Sequence, residues 1–303
     1  MSAKVGVTVD GRKLSLSNLD KVLYPSVGFT KAQVIDYYRR IAPVLLPHLK
    51  GKPLTLKRYP DGVEGEFFFE KACPSHRPDW VEVAPIWSES STREIKFCLA
   101  NDLPTLIWLA NLATLELHPS LALAEDITRP RSVVFDLDPG APADIIDCCQ
   151  VAMWVRELFG ALGLEAFPKT SGSKGMQIYV PLNTKVSYER TKPFARAVAE
   201  LLEKQHGELV VSNMKKELRK GKVLVDWSQN DEHKTTVSVY SLRARERPTV
   251  STPVTWEEVE QALAERDAGL LRFESETVLE RVGAMGDLFE PLLSMRQELP
   301  SLK

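Results

Sequence analysis

The chain has only four cysteines, Cys73, Cys98, Cys148 and Cys149, and none stands in a metal-ligand spacing. That excludes zinc ribbons and fingers. A bridge between the adjacent Cys148 and Cys149 would be strained, and all four read as reduced thiols of a cytosolic protein. No GxGxxG or Walker loop is present, so the common dinucleotide and P-loop chemistries have no anchor. No apolar run reaches the length of a membrane span, and the opening Met1-Ser-Ala-Lys-Val-Gly lacks the apolar core of a signal peptide. An excess of positive charge is missing too: 39 Lys and Arg face 41 Asp and Glu, for a formal charge of −2. Global charge therefore gives no argument for nucleic-acid binding, which would have to rest on local patches. Internal repeats and low-complexity stretches are absent, which argues against a solenoid.

What is present is ordinary globular material, 44% hydrophobic and 26% charged over 303 residues. That length allows one large domain or two small ones, and no linker composition interrupts it, so a single module over residues 1–303 is expected. A strand pair is predicted at Val5–Val9 and Lys13–Leu16. Thr30 caps a predicted helix running to about Leu46. Short strands follow at Leu54–Arg58 and Gly65–Phe69, then an apolar helical run from Leu103 to Leu117. A helix from about Ala143 to Leu162 ends at Gly163. Strands at Met176–Pro181 and Lys222–Trp227 flank a helix near Tyr188–Gln205. Thr255 caps a further helix, and the region from Leu271 to Lys303 reads as helical. The mixture is α/β or α+β.

One strand carries the chemistry. In Val133-Val134-Phe135-Asp136-Leu137-Asp138-Pro139-Gly140 an apolar run stops at a turn. Strand residues two apart share a face, which sets Asp136 and Asp138 side by side, with Cα atoms about 7 Å apart. Neighbouring carboxylates raise each other's pKa unless a cation neutralises them, and oxygen ligands suit a hard divalent metal. A second block, Thr170-Ser171-Gly172-Ser173-Lys174-Gly175-Met176-Gln177, is a small-residue turn entering a strand; its amides and Lys174 suit phosphate, although such turns are also common connectors. A third, Val223-Leu224-Val225-Asp226-Trp227, supplies a lone carboxylate that would complete a two-metal site beside the first pair. Taken by itself Asp226 is a cap or ion-pair partner. Nine Lys and Arg against five Asp and Glu between Lys215 and Arg247 form an uneven basic cluster, suited to polyphosphate or a DNA backbone, or else a solvated face. Asn18, Lys21 and Lys31 flank the turn at Tyr24-Pro25. Phe67-Phe68-Phe69 next to Lys71 could stack on bases, and alternation predicts that one of the three rings faces the core.

In this order the blocks resemble the polymerase domain of bacterial ligase D, a branch of the archaeo-eukaryotic primase superfamily. The matching stretches are Asn18-Leu-Asp-Lys-Val-Leu-Tyr-Pro25, Phe68-Phe-Glu-Lys71, Leu115-Glu-Leu-His118, Val134-Phe-Asp-Leu-Asp-Pro-Gly140, Thr170-Ser-Gly-Ser-Lys-Gly175, Gly221-Lys-Val-Leu-Val-Asp-Trp-Ser-Gln-Asn230, Lys234-Thr-Thr236 and Tyr240-Ser-Leu-Arg243. They cover most of the chain from Leu14 to Arg247. The resemblance implies an α/β primase-like core, two sheets around a central cleft with flanking helices. Residues 1–125 would bind a DNA 5′-phosphate, 126–250 would form the metal and nucleotide site, and 251–303 would be a helical extension. It implies a stand-alone, template-directed nucleotidyl transferase that extends a 3′-hydroxyl from NTPs or dNTPs with two manganese or magnesium ions on Asp136, Asp138 and Asp226. Ser171, Lys174, Gln177, Gln229, His118 and Arg243 would contact the nucleotide. Asn18, Lys21 and Lys31 would grip the 5′-phosphate, with Phe68 or Phe69 stacked on DNA. Gapped or broken DNA, a separate ligase or end-binding repair proteins are the implied partners, in the cytoplasm at the nucleoid and away from membranes.

Gln177 departs from the pattern, which ends this motif in histidine. A neutral amide lacks the charge of a protonated ring, a deficit of about tenfold in triphosphate affinity or rate, unless the amide donates adequately and Lys174 carries the charge. Retained activity is expected, because all three carboxylates are present. Two other functions fit parts of the sequence. Apolar-Asp-x-Asp also opens phosphatases that form a phospho-aspartate, although Pro139-Gly140 is the wrong continuation for them. A DNA-end binding module with weakened or lost chemistry is the other.

Overall fold

A computed structural model describes residues 4–88 and 91–300. They fall into two units, each assembled from three stretches of chain. The first comprises Met1–Glu125, Thr235–Val250 and Glu274–Gly286; the second comprises Asp126–Lys234, Ser251–Phe273 and Asp287–Lys303.

In the second unit the predicted Asp136 strand forms as Ser132–Pro139, at the centre of a five-stranded sheet ordered Phe167–Thr170, Met176–Pro181, Ser132–Pro139, Val223–Asp226, Val210–Val211. The last pair is parallel and the other three antiparallel. Alternation divides the labour of the central strand. Val133, Phe135 and Leu137 are fully buried, and Phe135 meets Phe159 of the helix Ile145–Ala161 at 5.4 Å between ring centroids. Phe159 in turn meets Phe194 of the helix Tyr188–Gln205. Asp136 and Asp138 take the other face. A one-residue slip would exchange the two sets, and burying each apolar side chain is worth about 1.5–3 kcal/mol, so the register of the aspartates is set by the core behind them. The helix after the strand starts two residues later than its predicted Ala143, because Asp144 caps it and forms a capping box with Asp147.

In the first unit the strand Leu54–Arg58 pairs with both Phe68–Glu70 and Thr114–Pro119, and meets the hairpin Val83–Ser88/Arg93–Cys98 at Leu54–Cys98. Its helix Lys31–Leu49 starts at the predicted Thr30, which forms a capping box with Gln33. That helix packs on Leu103–Asn111 and buries Tyr37 and Tyr38.

Three expectations are corrected. The apolar run from Leu103 is not one helix to Leu117: the helix stops at Asn111, Ala113 adopts a left-handed φ of 58°, and Thr114–Pro119 is a strand. A short apolar run does not reveal its period, and here tertiary pairing with Leu54–Arg58 decides. None of Phe67, Phe68 and Phe69 enters the core; they are 51%, 43% and 58% exposed, the last two on the edge strand Phe68–Glu70 and Phe67 just before it. Cys73 and Cys98 are joined by a disulfide, whereas Cys148 and Cys149 are free and buried. The bridged pair is 25 residues apart in sequence and meets because Cys73 N–H donates to the Lys96 carbonyl, so no local spacing announced it. The C-terminal region is helical in part, at Ser275–Met285 and Pro291–Ser294. No helix among the described residues is long and apolar enough to cross a membrane.

Candidate active site

Antiparallel pairing sets Asp136 opposite Asp226 on one side and opposite Gln177 on the other, and Gln177 opposite Lys169. Directly paired residues share a face, so Lys169, Gln177, Asp136 and Asp226 form a row across one face of the second unit's sheet, with Asp138 two residues along. The Asp136 carboxyl is pushed up to about 7, first by burial and then by the charges of Asp138 and Asp226; a hydrogen bond from Gln177 and the charge of Lys169 work against the rise. Asp226 is held by its own loop: Ser228 donates from N–H and hydroxyl to Oδ1 at 2.8 and 2.6 Å, and Gln229 Nε2 donates to Oδ2 at 3.2 Å. Asp138 is 60% exposed, with Arg219 Nη1 at 3.9 Å from its Oδ2.

Among the described residues, no three His, Cys, Asp or Glu side chains converge closely enough to hold a metal ion. The donor set nonetheless fits a hard divalent cation in kind. Three carboxylates stand at the ends of adjacent strands, and the most enclosed of them resists ionisation first because it is buried and then because its neighbours are also acids. A bound cation relieves that repulsion. All-oxygen ligands favour magnesium or manganese over zinc or copper.

The turn after Phe167–Thr170 is organised by Ser171. Its Oγ accepts from the N–H groups of Ser173 and Gly175, each at 3.2 Å, so these two amides serve the turn itself. Lys174 is exposed at the tip, whereas Gln177 is only 3% exposed. Glycine is obligatory at two close approaches. A Cβ on Gly175 would lie 2.0 Å from the Leu137 carbonyl oxygen, and one on Gly140 would lie 2.0 Å from that of Arg219. Gly140 also bonds through its N–H to Lys222 and through its carbonyl to Gly221, tying the aspartate strand to the loop that carries Arg219.

The other residues named from the sequence lie in the first unit. His118 Nε2 is 2.9 Å from Glu116 Oε2, and Arg243 Nε is 3.4 Å from Glu116 Oε1. The Arg243 segment is pinned by tyrosines: Tyr24 donates to the Arg243 carbonyl, Tyr37 to that of Tyr240, and the Tyr38 hydroxyl accepts from Leu242 N–H. Asn18, at a left-handed φ of 53°, Lys21 and Lys31 are brought together by the backbone: Lys21 N–H donates to Asn18, and Lys31 N–H to Lys21. Lys21 Nζ pairs with Asp61 at 2.6 Å. Lys31 is buried, donates from Nζ to the Ser17 carbonyl at 2.6 Å, and is lowered to about 8 by burial and by the charges of Lys21 and Arg58. Phe69 meets the His118 ring edge-on at 6.0 Å, and Arg58 lies over Phe68 at 5.1 Å while pairing with Glu70. The basic cluster divides between the units, and Arg247 is neutralised by Glu274.

Sequence reasoning passed over Glu116, Lys169 and Asn230. Asn230 is fully buried; it accepts from Val134 N–H and donates to the Val134 and Trp227 carbonyls, which fastens the Asp226 loop to the aspartate strand. Lys169 is fully buried as well, bonded to Ser251. A lone lysine in a strand gives no signal of this until the register is known.

The family model described as the LigD primase-polymerase domain matches residues 30–289. The multifunctional non-homologous end joining protein LigD of Mycolicibacterium smegmatis is 44% identical over 282 residues, covering 92% of this chain and 36% of that protein. The bifunctional LigD of Bacillus subtilis is 32% identical, covering 95% of this chain and 45% of its own. Among solved structures, the polymerase domain of Mycobacterium tuberculosis ligase D in complex with DNA superposes with a TM-score of 0.85 at 39% identity, over 94% of this chain and 99% of that one. The chain spans 36% and 45% of the length of these two curated relatives. With a family match over most of its length and the mixed α/β fold of that domain, the chain belongs to the LigD primase-polymerase family.

Proposed function

We propose that this chain is a template-dependent nucleotidyl transferase that extends 3′-hydroxyl ends from NTPs or dNTPs and fills short gaps bearing a downstream 5′-phosphate in DNA repair. The observation that carries the reading is the register that sets Asp136 beside Asp226, with Asp138 two residues on, in a chain of this family. Two divalent ions, manganese or magnesium, held by Asp136, Asp138 and Asp226, would supply Lewis acidity to the primer hydroxyl and the departing pyrophosphate. The chain's own groups do the rest. Lys174, exposed at the tip of its turn, offers a mobile cation to the triphosphate, and Ser171 keeps that turn closed. Gln177 steadies the Asp136 carboxylate through its amide, with Lys169 as the adjoining positive charge. Gln229, which donates to Asp226, binds at the same edge. His118 and Arg243 would contact the nucleotide. Asn18, Lys21 and Lys31 bind the 5′-phosphate, while Phe68 and Phe69 stack on the DNA. Residues 1–303 would serve as a single catalytic module, with residues 251–303 as its C-terminal extension. Partners would be gapped or broken DNA and a ligase or end-binding repair protein, in the cytoplasm at the nucleoid.

The test is extension across a gap of one to three nucleotides, with and without the 5′-phosphate, using either nucleotide type and either metal, beside Asp138→Ala. Extension enhanced by the phosphate and lost in the variant supports the reading. Phosphate-dependent binding without incorporation in either metal would replace it with an end-binding module.

A further inference from the structure

Glu116 is 2% exposed, yet two hydrogen-bond donors and two ion-pairing cations from three segments meet on its carboxylate. Oε2 takes His118 Nε2 at 2.9 Å; Oε1 takes Ala244 N–H at 3.1 Å, with Arg243 Nε at 3.4 Å and Lys57 Nζ at 3.6 Å. Burial opposes its ionisation, but the His118 hydrogen bond and the Arg243, His118 and Lys57 charges hold it well below the usual carboxylate range. Pairing then extends the cluster across the sheet, since Lys57 is opposite both Glu116 and Phe69. The Lys57 ammonium is 4.4 Å from the centroid of Phe67, 5.4 Å from Phe69 and 5.2 Å from Tyr59, and Phe69 touches His118. The carboxylate is thus at the bottom, with three cationic or ring-nitrogen heads above it, each 13–17% exposed. Buried ion clusters stabilise folds poorly compared with apolar packing, so stability alone does not account for this one.

We propose that Glu116 is a positioning residue. Its carboxylate holds His118 and Arg243, and through Lys57 the Phe67 and Phe69 rings, in one arrangement, so that a single buried anion sets both the nucleotide contacts and the aromatic platform of the first unit. The inference rests on the assignment of His118 and Arg243 to the nucleotide. An ionised carboxylate accepts at both oxygens, which holds a proton of His118 on Nε2. A glutamine cannot replace it, because its NH2 must then point at one of the donors.

The experiment measures incorporation kinetics for Glu116→Gln, Glu116→Asp, His118→Ala and the Glu116→Gln/His118→Ala pair, together with melting temperature. Glu116→Gln is expected to raise KM for the nucleotide about tenfold, the scale of one charge-assisted hydrogen bond, with a smaller change in kcat. Glu116→Asp should recover part of the loss, and the penalty of Glu116→Gln should shrink in the His118→Ala background. Unchanged KM, or full additivity of the two substitutions, overturns the proposal, even if the melting temperature falls. The imidazole 15N shifts of His118 read the same point without turnover: the Nε2–H tautomer in the native chain and its loss in Glu116→Gln are expected. A tautomer indifferent to the substitution overturns the positioning role, whereas native protein that shows the tautomer but no incorporation condemns only the polymerase reading.

Discussion

If Lys31 grips a 5′-phosphate as proposed, that recognition should depend on pH in a window where phosphate itself does not titrate. Its ammonium is lowered from 10.5 to about 8, first by burial and then by Lys21 and Arg58. Below pH 8 the free protein presents a charged Lys31, and above it the group must take up a proton to hold the anion. A phosphomonoester has its second pKa near 6, so it stays dianionic throughout. With a folded pKa of about 8, the charged fraction falls from about nine-tenths at pH 7 to about one-tenth at pH 9. If bound phosphate keeps Lys31 charged, the 5′-phosphate increment in affinity should drop about tenfold between those pH values. The folded state releases this proton more readily than the unfolded chain, so folding stability moves the other way and rises with pH between about 8 and 10.5. The assay is fluorescence-anisotropy binding to gapped DNA with a 5′-phosphate or a 5′-hydroxyl, at constant ionic strength. Lys31→Arg is the control, because a guanidinium stays charged across the range and should flatten the profile. An increment that does not change with pH, or a slope that persists in Lys31→Arg, would refute the assignment of Lys31 to the phosphate.

Other outcomes follow from the second unit. Asp138→Ala should abolish extension while leaving gap binding within about twofold, as an exposed carboxylate carries little of the fold; full activity would remove the two-metal reading. Gly175→Ala places a Cβ 2.0 Å from the Leu137 carbonyl oxygen, where backbone must move, so a loss of about 1–3 kcal/mol in stability and a larger loss of extension are expected in chemical denaturation and gap filling. Gln177→His should keep nucleotide use within about tenfold, the worth of one charge-assisted bond; a collapse would show a site rebuilt around the amide that now serves Asp136.

Several elements were legible from local chemistry because their signals are local. Thr30 and Thr255 announced helix starts by their capping boxes, and Asp136 and Asp138 had to share a face once their strand was recognised. The family resemblance rested on short motifs in order, which survive without knowledge of the sheet. What local chemistry left open was pairing between distant segments. The strand at Thr114–Pro119 exists because Leu54–Arg58 is there to bond it, which turned half of an apolar run out of its helix and put Glu116 beneath His118. Register placed Lys169 and Gln177 beside Asp136, and chain crossing joined Cys73 to Cys98. The exposed phenylalanines stayed out of the core because they lie on or just before an edge strand, with Lys57 and Arg58 supporting the rings. Sequence by itself determined which chemical groups this protein owns and the local turns that present them. The tertiary structure alone decided which groups are neighbours, since side-chain pairing across a sheet depends on hydrogen bonds between residues far apart in the chain.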